Sequence, residues 1–448
     1  MGSDWEEVKL ADVTNEITVG FVGSMTSEYR DDGVPFLRSK NVEPLRINLN
    51  DLKYISSEFN ERIKKSALAP GDVVIVRTGK PGSCCVIPDW LKSANCSDLV
   101  IVRCSEKINN HFLAFYVNSV ASSHINAHLV GAVQQHFNVG SARQMVIQLP
   151  SLTEQKAIAH ILGSLDDKIE LNRQMNQTLE SMAQALFKSW FVDFDPVIDN
   201  ALAACNDIPE AFAKRAEARK PSPPAPLPEV EGSNNNPPLP SGEGLGVREL
   251  FPSEFEFTEE MGWIPKGWGV GKLQDLLILQ RGFDLPKKNR VSGSFPLIAS
   301  SGQDGTHAEF KAEGPGVVTG RSGRIGIVTF VSENFWPLNT TLWIKEYRNS
   351  NSYYAYFLLN FIDLEKYSTG SAVPTLNRNH IHSLPQIIPS KDHLIAFEAQ
   401  VAPLFKKKLD NESNLDLLSK LRNTLLPKPL SGEIRIPDAE KLIEGRVV

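Results

Sequence analysis

SLTEQKAIAHILGSLDDKIELNRQMNQTLESMAQALFKSWF (residues 151–191) places large apolar side chains at Ile158, Ile161, Leu165, Met175, Leu179, Met182 and Leu186. The steps are three or four residues or sums of these, the spacing of a helix that buries one stripe against another helix. Ser151 or Thr153 is placed to cap its start, with Glu154 as an acid in the first turn. The pattern returns after Pro389 with Val401, Leu404, Leu415, Leu418, Leu421 and Leu425, and Pro427 and Pro429 stop it. At one fixed offset of 239 residues, Leu165, Asn172, Leu179 and Leu186 match Leu404, Asn411, Leu418 and Leu425. A buried asparagine costs stability but fixes register. Asn172 and Asn411 are therefore expected near each other, at the middle of two antiparallel helices that form a coiled-coil seam.

What precedes each helix also repeats. Trp5-Glu6-Glu7-Val8-Lys9-Leu10-Ala11-Asp12 returns as Trp268-Gly269-Val270-Gly271-Lys272-Leu273-Gln274-Asp275, and Gly20-Phe21 as Gly282-Phe283. Arg77-Thr78-Gly79-Lys80-Pro81-Gly82 returns as Arg321-Ser322-Gly323-Arg324-Ile325-Gly326. Asn138 stands before Pro150-Ser151 as Asn377 stands before Pro389-Ser390. The four matches keep their order, the mark of an internal duplication. Within each half, runs such as Val73–Val76, Leu99–Val102, Met145–Leu149, Gly316–Val318, Ile325–Val331 and Thr341–Ile344 read as strands. His111–Ser119 and Ser352–Phe361 read as helices. The expected fold is mixed α/β (α+β), two pseudo-symmetric globular bodies separated by the two long helices.

The chain has 448 residues, enough for more than one domain, and a net charge of −6. That charge is unevenly spread. Residues 196–262 carry 5 basic and 12 acidic side chains, whereas residues 263–390 carry 13 and 9. The total therefore neither demands nor excludes a nucleic-acid partner; a local surface decides. Five cysteines without CxxC spacing fit buried, reduced thiols better than a disulfide framework or a zinc site. No run is long and apolar enough to span a membrane, and no secretory signal is visible, so a cytoplasmic location is expected. Residues 220–247, rich in Pro, Asn and Gly, are expected to be extended or disordered.

Several stretches resemble the specificity subunits of type I restriction–modification systems. Leu149–Ile158 resembles the start of that family's central helix and Phe187–Pro196 its end. Gly262–Trp268 resembles the approach to the second recognition domain, and Leu425–Arg435 the end of the distal helix. The resemblance implies target-recognition domains at 1–150 and 263–390, and spacer helices at 151–195 and 391–427. It also implies a linker at 196–262 with an insertion at 220–247, and a tail at 428–448. It implies double-stranded DNA as ligand, read as a bipartite asymmetric site. Partners would be two modification subunits, which carry S-adenosylmethionine, and the restriction subunits. The chain itself would hold no cofactor and no metal and would catalyse nothing.

Candidate DNA contacts are amides and cations suited to base edges and phosphates. In the first half these are Arg38, Ser39, Lys40, Arg77, Thr78, Gly79, Lys80, Gln134, Gln135, His136 and Asn138. In the second they are Arg281, Lys287, Lys288, Arg290, Ser301, Gln303, Arg321, Ser322, Gly323, Arg324, Thr375, Asn377 and Arg378. The plainer reading of the two Gly-containing turns is a solvated strand connection. A stand-alone methyltransferase or nuclease with tandem DNA-binding domains is the alternative function, and a purely protein-binding scaffold a third. Against the enzyme, Asn236-Pro237-Pro238-Leu239 lacks the aromatic residue of an amino-methyltransferase loop, and Gly242–Gly246 follows no strand.

Overall fold

The computed structural model describes residues 5–121, 137–220, 249–369, 374–425 and 427–433. Two compact units are present, residues 1–174 with 411–448, and residues 175–410.

In the first unit, Val73–Val76 is buried at every position. Such an unbroken Val-Val-Ile-Val run suits a central strand covered on both faces. Its neighbours are Cys84–Val86 on one side and Leu99–Cys104 then Thr14–Val19 on the other, all antiparallel. Val73 and Ile75 face the helix Asn110–Ser119, packing with Phe112, Phe115 and Tyr116. Val74 and Val76 face the opposite way, toward Leu37, Cys96 and Leu91. That second layer is a five-stranded sheet in which Ala94–Cys96 runs parallel to Val34–Leu37.

The second unit repeats the plan. Leu277–Arg281, Thr341–Tyr347, Gly316–Gly320 and Val328–Val331 take the order of Thr14–Val19, Leu99–Cys104, Val73–Val76 and Cys84–Val86. Phe295–Ala299 pairs in parallel with Trp336–Pro337. Asn109 and Asn351 cap the corresponding helices, each accepting at 2.9 Å from the third residue on. In both units the strand that opens the repeat pairs with the strand that leads to the long helix, Glu6–Lys9 with Val146–Leu149 and Gly269–Lys272 with Pro385–Ile388. The strand expected over Ile325–Val331 begins only at Val328, because Gly326 still belongs to the preceding turn at φ 85°.

The repeated Gly-Phe pair has a steric cause. Gly20 and Phe21 donate backbone hydrogen bonds to Leu99 and Cys96, and Gly282 and Phe283 to Thr341 and Pro337. A Cβ on Gly20 meets the Cys96 Sγ at 2.8 Å, and one on Gly282 collides with the carbonyls of Pro337 and Leu338.

The long helices span Leu152–Phe191 and Lys391–Leu425, the latter with Pro403 inside it. In the first unit Leu165 and Ile169 pack with Leu418 and Leu421, and Arg422 pairs with Asp166 at 2.8 Å. Burial raises the Asp166 carboxyl above its ordinary range, against the pull of Arg422. In the second unit Ala183, Phe187 and Trp190 pack with Phe397, Val401 and Phe405, and Lys408 pairs with Glu180 at 2.7 Å. Ile158, Ile161, Leu165, Val401, Leu418 and Asn411 are buried. Met175, Leu179, Leu186, Leu404 and Leu415 are half-buried. The side chain of Leu425 lies outside the described residues.

The expected stripe needs correction beyond Leu165. Met182 is 53% exposed, and its neighbour Ala183 fills the seam. Asn172 is half-buried, and the buried asparagine of this helix is Asn176, which donates to Lys408 O at 3.3 Å. The residues that face inward are Leu165, Ile169, Asn176, Ala183, Phe187 and Trp190. A strict heptad drifts about 20° per repeat on an α-helix. Small and polar residues then occupy the seam, and the long apolar ones beside them turn outward.

The first helix also stops short of residue 195. Phe194 adopts left-handed φ 54°, and Pro196 opens a new helix, Asp195–Ala204. The span 196–262 is not only a connector. Helix Ala213–Arg219 binds back to that new helix, with Arg215 on Asp195 at 2.6 Å and Arg219 on Asp199 at 2.5 Å. A hairpin of Phe255–Thr258 and Gly262–Pro265 completes it. Of the expected insertion, all but Lys220 lies outside the described residues. Cys84, Cys85 and Cys96 are buried free thiols, Cys104 is partly buried and Cys205 exposed. Burial pushes the Cys85 thiol up to about 12.

Candidate nucleic-acid interface

Residues 77–82 and 321–326 each join two strands of the four-stranded sheet. Val76 N donates to Ser83 O at 2.8 Å, and Gly320 N to Ile327 O at 3.1 Å. Gly79 and Gly82 have φ of 86° and 93°, and Gly323 and Gly326 both have 85°. Left-handed backbone costs a residue with a Cβ about 1–2 kcal/mol, so these positions call for glycine.

Each turn is pinned at two matching points. Arg77 N donates to Asp98 O at 3.4 Å, as Arg321 N does to Thr340 O at 2.8 Å. Phe137 N donates to Arg77 O at 3.0 Å, as Leu376 N does to Arg321 O at 2.8 Å. Thr375 bridges Ser322. Next along the chain come Asn138 and Asn377. Their side-chain oxygens cap the short helices Val139–Arg143 and Arg378–His382, accepting at 2.8 Å and 3.0 Å. The two asparagines thus anchor the loop beside each turn.

In the first unit these groups join into one polar network. Thr78 Oγ1 donates to the Asp98 carboxylate, Ser39 Oγ does so at 3.2 Å, and Arg77 stands 3.7 Å away. Ser39 lies between Arg38 and Lys40, and both of those contact Asp51, which Lys53 reaches at 2.9 Å. These cations, Lys40 foremost and then Lys53, hold the exposed Asp51 carboxyl well below the usual carboxylate range. Lys40, Gly79 and Lys80 are exposed. The guanidiniums of Arg38 and Arg77 are partly buried.

In the second unit Arg324, Asn377 and Arg378 are exposed around the turn. Arg281 lies 3.8 Å from Asp284, which accepts from Asn339 beside Thr340. Ser300, next to the exposed Ser301, donates its N–H to Thr340 Oγ1 at 3.3 Å. Arg290 binds Asp304 at 2.9 Å on the neighbouring sheet, where Gln303 is exposed, and Lys287 and Lys288 form an exposed turn upstream of it. Gln134, Gln135 and His136 lie outside the described residues.

Sequence reasoning missed Asp98, Asp51 and Thr340, which organise the cations and turns. The available signal was weak: Asp51 and Asp98 take φ of 51° and 56°, a conformation aspartate tolerates better than most. No helix of the described residues is long and apolar enough to cross a membrane.

A family model described as the type I restriction modification DNA specificity domain matches residues 2–181. A Haemophilus influenzae protein named type I restriction enzyme HindI specificity subunit is 26% identical, covering 96% of this chain and all of that protein. The MjaIX specificity subunit of Methanocaldococcus jannaschii is 23% identical over 97% of this chain and 94% of its own length. The crystal structure of a type I restriction–modification S subunit from M. genitalium superposes with a TM-score of 0.57 at 13% identity, covering 95% of this chain and 96% of that one. At that identity the structural likeness concerns the fold.

Proposed function

We propose that the chain acts as a specificity subunit of a type I restriction–modification system, as its matched family model and relatives suggest, and that its two globular bodies each read one half of a bipartite duplex site. The observation that carries this reading is the duplicated turn. In each unit a Gly-containing turn is locked by the same two backbone hydrogen bonds beside a helix-capping asparagine, with exposed cations at its rim. Glycine lets backbone approach a phosphate closely, and flanking cations position the duplex while side chains at the rim meet base edges.

The long helices, the first of forty residues, would link the two reading bodies. Their outer faces would dock two modification subunits, with restriction subunits joining that assembly. The methyl donor, S-adenosylmethionine, would be held by the modification subunits, and this chain would contribute recognition without catalysis.

The test is to map methylated adenines in cells producing this chain with its modification subunit, and to assay the purified chain alone. The expected result is a two-part motif with an unspecified gap, and no methyl incorporation or cleavage by the isolated chain. A single continuous motif, modification that persists without this chain, or catalysis by the chain alone overturns the reading.

A further inference from the structure

We infer that the residue just before strand Leu99–Cys104 or its counterpart Thr341–Tyr347, Asp98 in the first domain and Thr340 in the second, sets how much arginine charge each turn offers to the duplex. The inference rests on the reading that these turns contact DNA. The two positions are equivalent by hydrogen bonding. Asp98 precedes Leu99, whose carbonyl accepts from Gly20 N at 2.8 Å. Thr340 precedes Thr341, whose carbonyl accepts from Gly282 N at 3.1 Å. The carbonyls of Asp98 and Thr340 themselves receive the N–H of the turn's arginine, Arg77 and Arg321.

Their side chains act differently. The Asp98 carboxylate gathers Thr78, Ser39 and Arg77, and leaves the Arg77 side chain only 19% exposed. Thr340 brings no charge, and its hydroxyl is taken by Ser300 N. Among the described residues Arg321 has no ion pair comparable to that of Arg77 with Asp98. The first turn therefore presents Lys80 beside an ion-paired Arg77, and the second presents Arg324 beside an Arg321 that is also half-buried but has no ion pair among the described residues. Asp98 is on this account a positioning residue: it acts on DNA through Arg77.

Each phosphate neutralised by a cation releases counterions and steepens the dependence of log K on log salt by about 0.9. Asp98→Asn removes the charge, keeps a side-chain oxygen for Thr78 and Ser39, and suits the left-handed backbone, φ 56°. Binding is measured with the full chain in complex with its modification subunit, on a duplex carrying the mapped methylation motif, across a salt series. The expected result is a slope steeper by about one for Asp98→Asn, restored to wild type when Arg77→Ala is added, and a slope flatter by about one for Thr340→Asp. A purely structural role for Asp98 would weaken binding without steepening the slope, and that result overturns the inference. So does a steeper slope that survives Arg77→Ala. Should Asp98→Asn unfold, the Thr340→Asp arm decides by itself. If the wild-type complex binds with no salt dependence, the DNA-contact reading fails instead, which is a separate outcome.

Discussion

Leu165→Ala separates the seam drawn by residue type from the seam the structure contains. Leu165 is 1% exposed and packs with Ile169, Leu418 and Leu421, which join the two long helices within the first unit. Alanine removes the outer carbons of the side chain. At about 0.8 kcal/mol per buried carbon the transfer loss is about 2.4 kcal/mol, and the unfilled cavity raises it to roughly 3 kcal/mol, inside the range of about 2–5 known for buried leucines. For a unit of this size 1 kcal/mol moves the melting midpoint by about 2–4 °C, so a fall of roughly 6–12 °C is expected. Met182→Ala is the control. Its spacing makes it look equally central, yet it is 53% exposed, and the expected change is within about 0.5 kcal/mol. The assay is calorimetry or thermal unfolding followed by circular dichroism on the full chain. Equal losses for the two substitutions, or a larger loss for Met182→Ala, refute the assignment of the inner face.

Gly282→Ala places a methyl against two backbone carbonyls that cannot move aside and is expected to cost about 1–3 kcal/mol. Gly163→Ala, inside the first long helix with open space around its Cβ, is expected to gain about 0.5–1 kcal/mol; denaturant titration reads both, and a neutral Gly282→Ala would remove the steric account of the Gly-Phe repeat. His382 Nε2 accepts from Leu279 N at 2.9 Å, and burial, with the charges of Arg378 and Arg348, lowers its pKa. The unfolded chain then takes up the proton first, so the bond's contribution is whole above the ordinary value of 6.5 and is lost as pH falls below it. His382→Gln should flatten the fall in stability between neutral and mildly acidic pH, and an unchanged pH profile would contradict this.

The duplication was legible because it rests on residues the backbone demands. Gly20, Gly79 and Gly82 cannot be exchanged without collision or strain, so their recurrence at Gly282, Gly323 and Gly326 exposed a shared scaffold. The long helices were legible from apolar spacing, though their inward face was not: burial of Ala183 and Asn176 depends on the partner helix, and neither residue type announces a core position. The polar network was hidden for a different reason. Asp98 lies 20 residues from Thr78 and 59 from Ser39, and nothing local to any of them signals the convergence. The folded part of the linker was missed likewise. Its helices hold together through Asp195–Arg215 and Asp199–Arg219, each pair 20 residues apart, in a stretch whose composition suggests solvated chain.

The two units differ at the side chains around their Gly-containing turns. What they share is carried by backbone groups: Arg77 and Arg321 donate N–H to the carbonyls of Asp98 and Thr340, and receive at their own carbonyls the N–H of Phe137 and Leu376. Such bonds exist whatever side chain the residue bears. Glycine is fixed at the points of closest approach, and the positions between are released from the work of holding the fold. At those positions the units diverge, with Lys80 against Arg324, Thr78 against Ser322, and Asp98 against Thr340. A scaffold that stabilises its loops through main-chain bonds can exchange the side chains at their rim at little cost in stability. Two units of one chain can thereby keep one fold while the side chains at the rim of their turns differ.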